Sequence, residues 1–258
     1  MEYSRIICKV DGPAAYIMLN RPDVHNAFDE FLIDEMTDAI TRLESESSVR
    51  AIVIAGAGKS FCAGADLEWM RRMAAYTYAE NLEDAWGLQR MFAAIAHSTK
   101  VTIARVHGAA IGGGAGLVAV CDVAIAAPEA TFALSEVRLG LIPAVVGPYV
   151  LERVGMGAAR ALFVTGERFG AEHALRIGLV NKVVEPSELD AEVEKTVKLV
   201  SEAGPHAIET AKSLLRQIQG KSPDEVAELT AETIARLRAG DEGKEGVRAF
   251  LEKRKPNF

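Results

Sequence analysis

The chain has 258 residues, of which 49% are hydrophobic and 25% charged, a composition typical of a folded globular protein rather than a disordered one. Its 29 basic and 36 acidic residues give a net charge of −7, and the longest basic cluster, at residues 253–255, is too short to neutralise many phosphates. We therefore expect no nucleic-acid partner.

The cysteines and histidines argue against disulfide and metal sites. The three cysteines are widely spaced without a Cys-x-x-Cys pair, and the five histidines form no i, i+4 pair. We expect small buried thiols in a reducing compartment and no bound metal. The start of the chain lacks the apolar stretch of a signal peptide, and no apolar run reaches about 18 residues, so we expect a cytoplasmic protein without a membrane partner.

The first part of the chain alternates between strand and helix patterns. Residues 5–10 and 14–19 predict a β-hairpin, and apolar residues at helical spacing predict a helix from Asp29 to Leu43. Short β-branched runs predict buried strands, and the alternation as a whole predicts an α/β layered core. The other elements expected in this core are helices at 79–96 and 115–120 and strands at 51–55, 101–106 and 123–127.

From residue 145 onward most segments have helical periodicity, and only residues 179–184 have the pattern of a strand. We therefore predict an α/β core over residues 1–200 and a C-terminal helical region over residues 201–258. The expected helical segments are 149–154, 158–164, 171–177, 188–202, 206–219, 223–238 and 241–254.

Two glycine-bearing loops are the most informative motifs. One spans residues 61–66, and the other spans residues 107–114 and includes Gly112-Gly113-Gly114. Each follows an apolar run and leads toward a helix, so each can present bare backbone N–H groups to negative charge. Two such loops side by side would hold an oxyanion, whereas a single glycine run is as often only a tight turn or a close packing point.

The segment from Gly114 to Ala119 matches the G-x-G-x-x-[GA] pattern of dinucleotide-binding folds. That pattern starts directly at the end of its strand, whereas Gly114 comes eight residues after Val106. A NAD-binding dehydrogenase stays open as an alternative on this motif. The chain has no P-loop and no G-x-S-x-G elbow, which argues against phosphoryl transfer and serine hydrolysis.

Glu136 is a single acid within the apolar segment 131–143, and glutamate is seldom buried without a reason. One interpretation is an ion pair with Arg138. The other is general acid–base catalysis, because loss of water beside an oxyanion site would raise the pKa of the carboxyl and suit it to proton transfer near neutrality.

Further motifs stand in a specific order along the chain. They are Leu19-Asn20-Arg21-Pro22, Asn26-Ala27, Cys121-Asp122, Gly140 after Glu136, and Phe250-Leu251-Glu252-Lys253-Arg254. With the two loops, this order resembles the enoyl-CoA hydratase/isomerase (crotonase) superfamily from about Ile6 to Phe258.

The resemblance implies a spiral core of repeated β-β-α units, a C-terminal helical region that forms a homotrimer or a homohexamer, and an acyl-CoA substrate. Coenzyme A would enter as part of the substrate thioester, so no separate cofactor is expected. The implied oxyanion donors are the backbone N–H groups of Ala65 and Gly113, and Glu136 is the implied catalytic carboxylate. The implied CoA-binding residues are Ala63, Asp66 and Leu67, with Phe250 and Lys253 reaching the CoA of a neighbouring subunit.

The chain departs from the family's best-known pattern at one position. Hydratases of that pattern hold water between two glutamates; Glu136 matches the second, but the first falls on Gly116, which cannot accept a proton. A Δ3,Δ2-enoyl-CoA isomerase with Glu136 as its sole acid and base is therefore one alternative, and a non-catalytic acyl-CoA binder is another. Residues 134–149 and 233–238 look like the methylglutaconyl-CoA and carboxygeranoyl-CoA hydratases, so our hypothesis is a 2-enoyl-CoA hydratase for a branched or carboxylated substrate.

Overall fold

The computed structural model describes residues 3–258, which divide into two compact units. The first unit ends at Thr196 and the second is Val197–Phe258. In the described chain the strands are β1 (Ile6–Asp11), β2 (Ala14–Leu19), β3 (Ala51–Gly56), β4 (Val101–Val106), β5 (Ala109–Ile111), β6 (Val123–Ala126), β7 (Thr131–Ala133), β8 (Arg168–Gly170) and β9 (Lys182–Val183). The helices are α1 (Glu30–Glu44), α2 (Leu67–Met73), α3 (Tyr78–His97), α4 (Gly113–Val120), α5 (Gly147–Thr165), α6 (Ala171–Arg176), α7 (Leu189–Ser201), α8 (Pro205–Ile218), α9 (Ala227–Ala239) and α10 (Asp241–Leu251).

A six-stranded sheet in the order β1-β2-β3-β4-β6-β9 runs through the first unit. β1 and β2 are antiparallel, with Ile6 opposite Leu19, and the other pairings are parallel. Every residue of β3 is buried, as a parallel strand covered on both faces requires. The predicted hairpin and the predicted α/β layering are confirmed.

A second, three-stranded sheet in the order β5-β7-β8 was only partly foreseen. The second glycine loop contains β5, and β8 lies where we predicted no strand, so the expectation of a single strand after residue 145 is wrong. The reason is length: β5, β7 and β8 have three residues each, too few for an alternation of apolar and polar side chains to be recognised. Their neighbours in the sheet define them instead.

The helices of the first unit agree closely with the sequence pattern. α1 begins after Asp29, whose side chain accepts a hydrogen bond from the Leu32 N–H, and the helix turns Leu32, Met36 and Ile40 into the core. α5 is one element where two segments were expected, and Gly155, at φ 74° and ψ 164°, interrupts it at the predicted gap.

The second unit contains helices α8 to α10 and the last turns of α7. The start of α8 is held by Glu242, whose carboxylate accepts hydrogen bonds from the backbone N–H groups of His206 and Ala207 at 3.0 and 2.8 Å. Glu245 in α10 forms ion pairs with Arg248 and Arg254. Nowhere in residues 3–258 is a helix both long and apolar enough to span a membrane.

Candidate active site

Two parallel β-bridges place the glycine loops side by side. Phe28 is bridged to Ala65, and Cys62 is bridged to Ala110 of β5. The Ile111 N–H donates to the Cys62 carbonyl oxygen at 2.9 Å. The first loop therefore lies along the beginning of the second, as the oxyanion hypothesis requires.

The bridge to Phe28 fixes the direction of the Ala65 amide. The Phe28 N–H donates to the Gly64 carbonyl at 2.7 Å, and the Phe28 carbonyl accepts from the Asp66 N–H at 2.8 Å. In a parallel pair, one residue bonds to both chain neighbours of its partner, so the N–H of Ala65 itself points away from Phe28. No acceptor for the Ala65 N–H is found among residues 3–258.

The second amide belongs to the first residue of α4. Gly112, at φ 53°, donates its N–H to the Ala133 carbonyl at 2.8 Å, whereas the N–H of Gly113 finds no acceptor in the described chain. This is expected at a helix N-terminus, where the first N–H groups have no intrahelical partner. A Cβ on Gly113 would lie 2.4 Å from Phe28 Cε2, so this position has no room for a side chain.

The carboxylate of Glu136 lies against both loops. Glu136 opens a 3-10 turn, Glu136–Leu139, that follows β7 almost directly. Its Oε1 lies 3.1 Å from the position that a Cβ on Gly112 would take, and that position is 4.0 Å from the Gly64 Cα. The acid and the two loops therefore meet within a few ångströms, so the structure brings the three predicted catalytic positions into one place.

The carboxyl group of Glu136 is largely buried and only partly hydrogen-bonded. Burial raises the pKa of its carboxyl above the usual range, an effect that the hydrogen bond from its own backbone N–H does not cancel. Its Oε2 is buried and has no hydrogen-bond partner within the described residues. The expected ion pair with Arg138 is wrong, because the Arg138 Nε donates instead to the Gly166 carbonyl at 3.1 Å.

Gly116 stands where the second acid would be, and its surroundings are apolar and full. A Cβ at this position would lie 2.3 Å from Val146 Cγ1 and 3.1 Å from Phe92 Cζ. The side chains of Val146 and Phe92 therefore fill the space next to Gly116, so this point of α4 leaves no room for water in place of the missing glutamate side chain. The same helix corrects the dinucleotide alternative: Gly114 and Gly116 lie inside α4 rather than in a turn that could receive a pyrophosphate.

The residues implied in CoA binding lie in two places. Ala63 and Asp66 belong to the first loop, and Leu67, which is 71% exposed, follows it at the start of α2. Phe250, which is 82% exposed, and the exposed Lys253 belong to the second unit. These five remain predictions.

A groove of about 750 Å³ lies elsewhere in the first unit. Its lining includes Tyr16, Arg105 and His107, but Arg105 is already paired with Asp190, and the His107 Nε2 lies 3.0 Å from the Gly58 carbonyl oxygen. Arg105 and His107 therefore have partners inside the protein, unlike Glu136 Oε2. No group of His, Cys, Asp and Glu suited to a metal occurs in residues 3–258.

Sequence reasoning missed two residues that shape the site, Phe28 and Val146. Phe28 orients the first loop with its backbone and fills the space above Gly113 with its ring. The one available signal was its position directly before the helix cap Asp29. Val146 had no local signal, because it meets Gly116 only through the packing of α4 against the start of α5.

Comparisons with known proteins match this chain over nearly its whole length. The family described as Enoyl-CoA hydratase/isomerase matches residues 11–258. A relative named crotonyl-CoA hydratase, from Syntrophomonas wolfei, is 38% identical over 100% of this chain and 99% of its own. One named trans-2-decenoyl-[acyl-carrier-protein] isomerase, from Streptococcus mutans, is 30% identical over 100% of this chain and 99% of its own. The crystal structure of an enoyl-CoA hydratase from Shewanella pealeana superposes with a TM-score of 0.97 at 38% identity, covering 100% of this chain and 97% of that one.

Proposed function

Because the chain belongs to the enoyl-CoA hydratase/isomerase family, we propose that it adds water across the C2=C3 bond of a 2-enoyl-CoA thioester. The observation that carries the proposal is the convergence of two amides without acceptors and one buried carboxylate oxygen, Glu136 Oε2, without a donor. The assignment of these groups to catalysis is part of the proposal.

In the proposed reaction, the N–H groups of Ala65 and Gly113 donate hydrogen bonds to the thioester oxygen. Negative charge develops on that oxygen when water adds to C3, and a fixed donor that strengthens its bond at this moment lowers the barrier by about 3 kcal/mol. Glu136 takes a proton from the attacking water, the water oxygen bonds to C3, and the π electrons move onto the thioester to give an enolate. Glu136 then returns a proton to C2, so that one water is consumed and the carboxylate is regenerated.

The raised pKa of Glu136 suits a group that performs both transfers. A carboxylate with an ordinary pKa is a weak base toward water at neutral pH, so the first proton transfer benefits from a raised pKa, and the acid formed in that step then supplies the proton for C2. Burial destabilises the charged form, which makes the carboxylate a stronger base without a neighbouring cation to oppose it. One residue at this position can therefore serve as base and acid in turn.

We propose that Ala63, Asp66 and Leu67 border the path of the CoA moiety, through backbone groups in the case of Asp66. Its carboxylate oxygens already accept from the N–H groups of Glu68 and Trp69 and from Arg21. Phe250 and Lys253 would contact the CoA of a neighbouring subunit in a cytoplasmic homotrimer or hexamer. Light scattering on the purified protein gives the subunit number, and a mass near 28 kDa, that of one 27.7 kDa chain, would remove the intersubunit role.

A second candidate function, Δ3,Δ2-enoyl-CoA isomerisation, is supported by the packing at Gly116. Moving a proton from C4 to C2 needs one base, and the apolar contact of Val146 and Phe92 at position 116 leaves Glu136 as the acid of the site. Isomerisation also consumes no water. One relative of the chain is named as an isomerase, acting on a trans-2-decenoyl-[acyl-carrier-protein], which supports isomerisation as a candidate.

The decisive experiment measures both reactions with one preparation. Loss of the conjugated enoyl-thioester absorbance is followed with crotonyl-CoA and 3-methylglutaconyl-CoA, and its appearance is followed with a 3-enoyl-CoA. We expect hydration, faster for the branched, carboxylated substrate. If neither 2-enoyl-CoA is hydrated while the 3-enoyl-CoA is isomerised, the second candidate replaces the first.

Glu136→Gln tests the role of the carboxylate in either reaction. The variant keeps the shape of the side chain but cannot accept a proton, so kcat is expected to fall at least about 1,000-fold while acyl-CoA binding persists. The matched control is Glu167→Gln, which removes an exposed carboxylate and leaves turnover unchanged. Retained turnover in Glu136→Gln would remove Glu136 from its assigned role.

A further inference from the structure

The guanidinium of Arg21 contacts both chain segments that the Phe28–Ala65 β-bridge joins. Asp29 follows Phe28, Asp66 follows Ala65, and each of these aspartates is the N-cap of the helix that comes next. The Arg21 Nη2 lies 3.2 Å from Asp29 Oδ2 and 2.9 Å from Asp66 Oδ2. The same arginine therefore reaches the carboxylates on both sides of the bridge.

This arrangement is buried, and both terminal nitrogens of the guanidinium have partners. The side chains of Arg21, Asp29 and Asp66 are 13%, 6% and 8% exposed. The Arg21 Nη1 donates to the Ala27 carbonyl at 2.6 Å, so the guanidinium also contacts the segment that leads into Phe28. The remaining oxygen of each carboxylate caps its helix, with Leu32 N–H on Asp29 and Trp69 N–H among the donors to Asp66.

We propose that Arg21 is a positioning residue for the oxyanion site, holding the Ala65 N–H in its direction through Asp66 and Asp29. The proposal rests on the proposed function, because it takes the Ala65 N–H as a donor to the thioester oxygen. The residues before and after Ala65 are both fixed: Gly64 by its bond to Phe28, and Asp66 by its cap, its own bond to Phe28 and Arg21. A rotation of the Ala65 amide has to break one of these.

The contacts of Arg21 require a planar guanidinium with two separate donor nitrogens, and a positive charge alone does not provide them. The two nitrogens of the guanidinium serve three oxygens, on Ala27, Asp29 and Asp66, from fixed directions. A lysine ammonium is a single point of charge on a flexible stem and does not reproduce this pattern. With lysine at this position, Asp29 and Asp66 would lose the partner that they share, and Asp29 would keep its ion pair with Arg5 Nε at 3.0 Å.

A second arginine provides a matched control. Arg72 of α2 donates to both carboxylate oxygens of Glu30 in α1, at 2.7 and 2.6 Å, so it joins the same two helices. Its side chain is 46% exposed, and it contacts neither helix cap. Arg72→Lys therefore alters an arginine contact between α1 and α2, made by Nη2 alone, that involves neither Asp29 nor Asp66.

The test compares Arg21→Lys with Arg72→Lys in turnover and in carbonyl polarisation. The probe for polarisation is cinnamoyl-CoA, whose absorption moves to longer wavelength when its thioester oxygen accepts strong hydrogen bonds. We expect Arg21→Lys to lower kcat about 10- to 100-fold, to change KM by less than about threefold, and to reduce the absorption shift of bound cinnamoyl-CoA. Arg72→Lys is expected to match the unsubstituted protein in all three quantities.

A second variant decides the outcome if Arg21→Lys does not fold. Asp66→Asn keeps an oxygen for the α2 cap but removes the charge that pairs with Arg21, and Asn is as good an N-cap as Asp. It should show the same selective losses. A full kcat and a full absorption shift in whichever variant folds would overturn the proposal, and so would a rise in KM alone.

The absorption shift separates this proposal from the proposed function. If the unsubstituted protein polarises cinnamoyl-CoA but turns over none of the enoyl-CoA substrates, the proposed function fails while the role of Arg21 is still measured by the shift. If the unsubstituted protein does not polarise the bound probe, the oxyanion site and the role of Arg21 are both refuted.

Discussion

The packing around Gly116 predicts a large penalty for adding one methyl group. In Gly116→Ala, the new Cβ would stand 2.3 Å from Val146 Cγ1, 2.9 Å from Val146 Cβ and 3.1 Å from Phe92 Cζ. Favourable carbon–carbon contacts lie near 3.5–4.0 Å, so the first contact is more than about 1 Å too short. Overpacking of this kind costs about 1–3 kcal/mol, and the upper end applies because α4 is buried from Gly114 to Val120.

Helix propensity acts in the opposite direction and can be measured separately. Alanine is better than glycine in a helix interior by about 1 kcal/mol, so we expect Gly116→Ala to lower the free energy of unfolding by about 2 kcal/mol net. The control is Gly87→Ala in the interior of α3, where the nearest atom to the new Cβ is the Arg90 Nη2 at 3.8 Å. The free energy of unfolding of Gly87→Ala should rise by about 1 kcal/mol, because alanine improves the helix propensity there without a steric clash.

Urea unfolding followed by circular dichroism, at one fixed protein concentration, gives both numbers. The variant Val146→Ala provides an internal check, because it shortens the side chain that the new methyl group would meet. The loss of unfolding free energy in the double variant Gly116→Ala/Val146→Ala should be smaller than the sum of the two single losses by about 2 kcal/mol. If Gly116→Ala is within about 0.5 kcal/mol of the starting protein, or the pair is additive, the space at position 116 is not filled as described.

Three further outcomes follow from individual groups. Because burial raises the pKa of Glu136, the folded protein binds the carboxyl proton more tightly than the unfolded chain does. The folded protein therefore loses stability as the pH rises above the pKa of the unfolded chain. Glu136→Gln should have a higher melting temperature than the starting protein at pH 8, and this difference should vanish near pH 4. Cys8 should react with iodoacetamide in the folded protein, whereas Cys62, buried with its pKa raised to about 12, should react only on unfolding, as mass spectrometry would show. Thr77→Ala removes the capping box of α3 and should lower the free energy of unfolding by about 1 kcal/mol in urea titrations.

Sequence patterns predicted the helices and strands that are long enough to show a periodic arrangement of apolar residues. They failed for short strands, which are defined by the strands that they pair with. α1 and β3 were placed within one residue because five or more consecutive residues contribute to each pattern. β8 was missed, since three residues do not establish a period and its definition comes from pairing with β7. Short strands of this kind are specified by tertiary contacts.

The same division applies to the site. The glycines of both loops and Glu136 could be singled out because their residue types are unusual for their surroundings. The contact between Gly116 and Val146 could not, since the two positions are 30 residues apart and neither is unusual alone. Likewise, the bond of Arg21 to Asp66 spans 45 positions, and nothing in the local sequence of either residue indicates the other.

The site contains two amide donors without acceptors and one carboxylate oxygen without a donor, and together these groups restrict which ligands can bind. A buried carboxylate oxygen without a donor costs free energy, about 1–3 kcal/mol, and the amides of the exposed Ala65 and the half-buried Gly113 have no acceptor within the described residues. The Ala65 and Gly113 amides need an acceptor, and Glu136 Oε2 needs a donor or a proton. A thioester oxygen supplies the first, and a water molecule or an acidic C–H beside that carbonyl supplies the second. A ligand with an acceptor but no proton near it, such as an inorganic anion, would satisfy the amides and repel the carboxylate, so binding of sulfate in preference to acyl-CoA thioesters would contradict this argument.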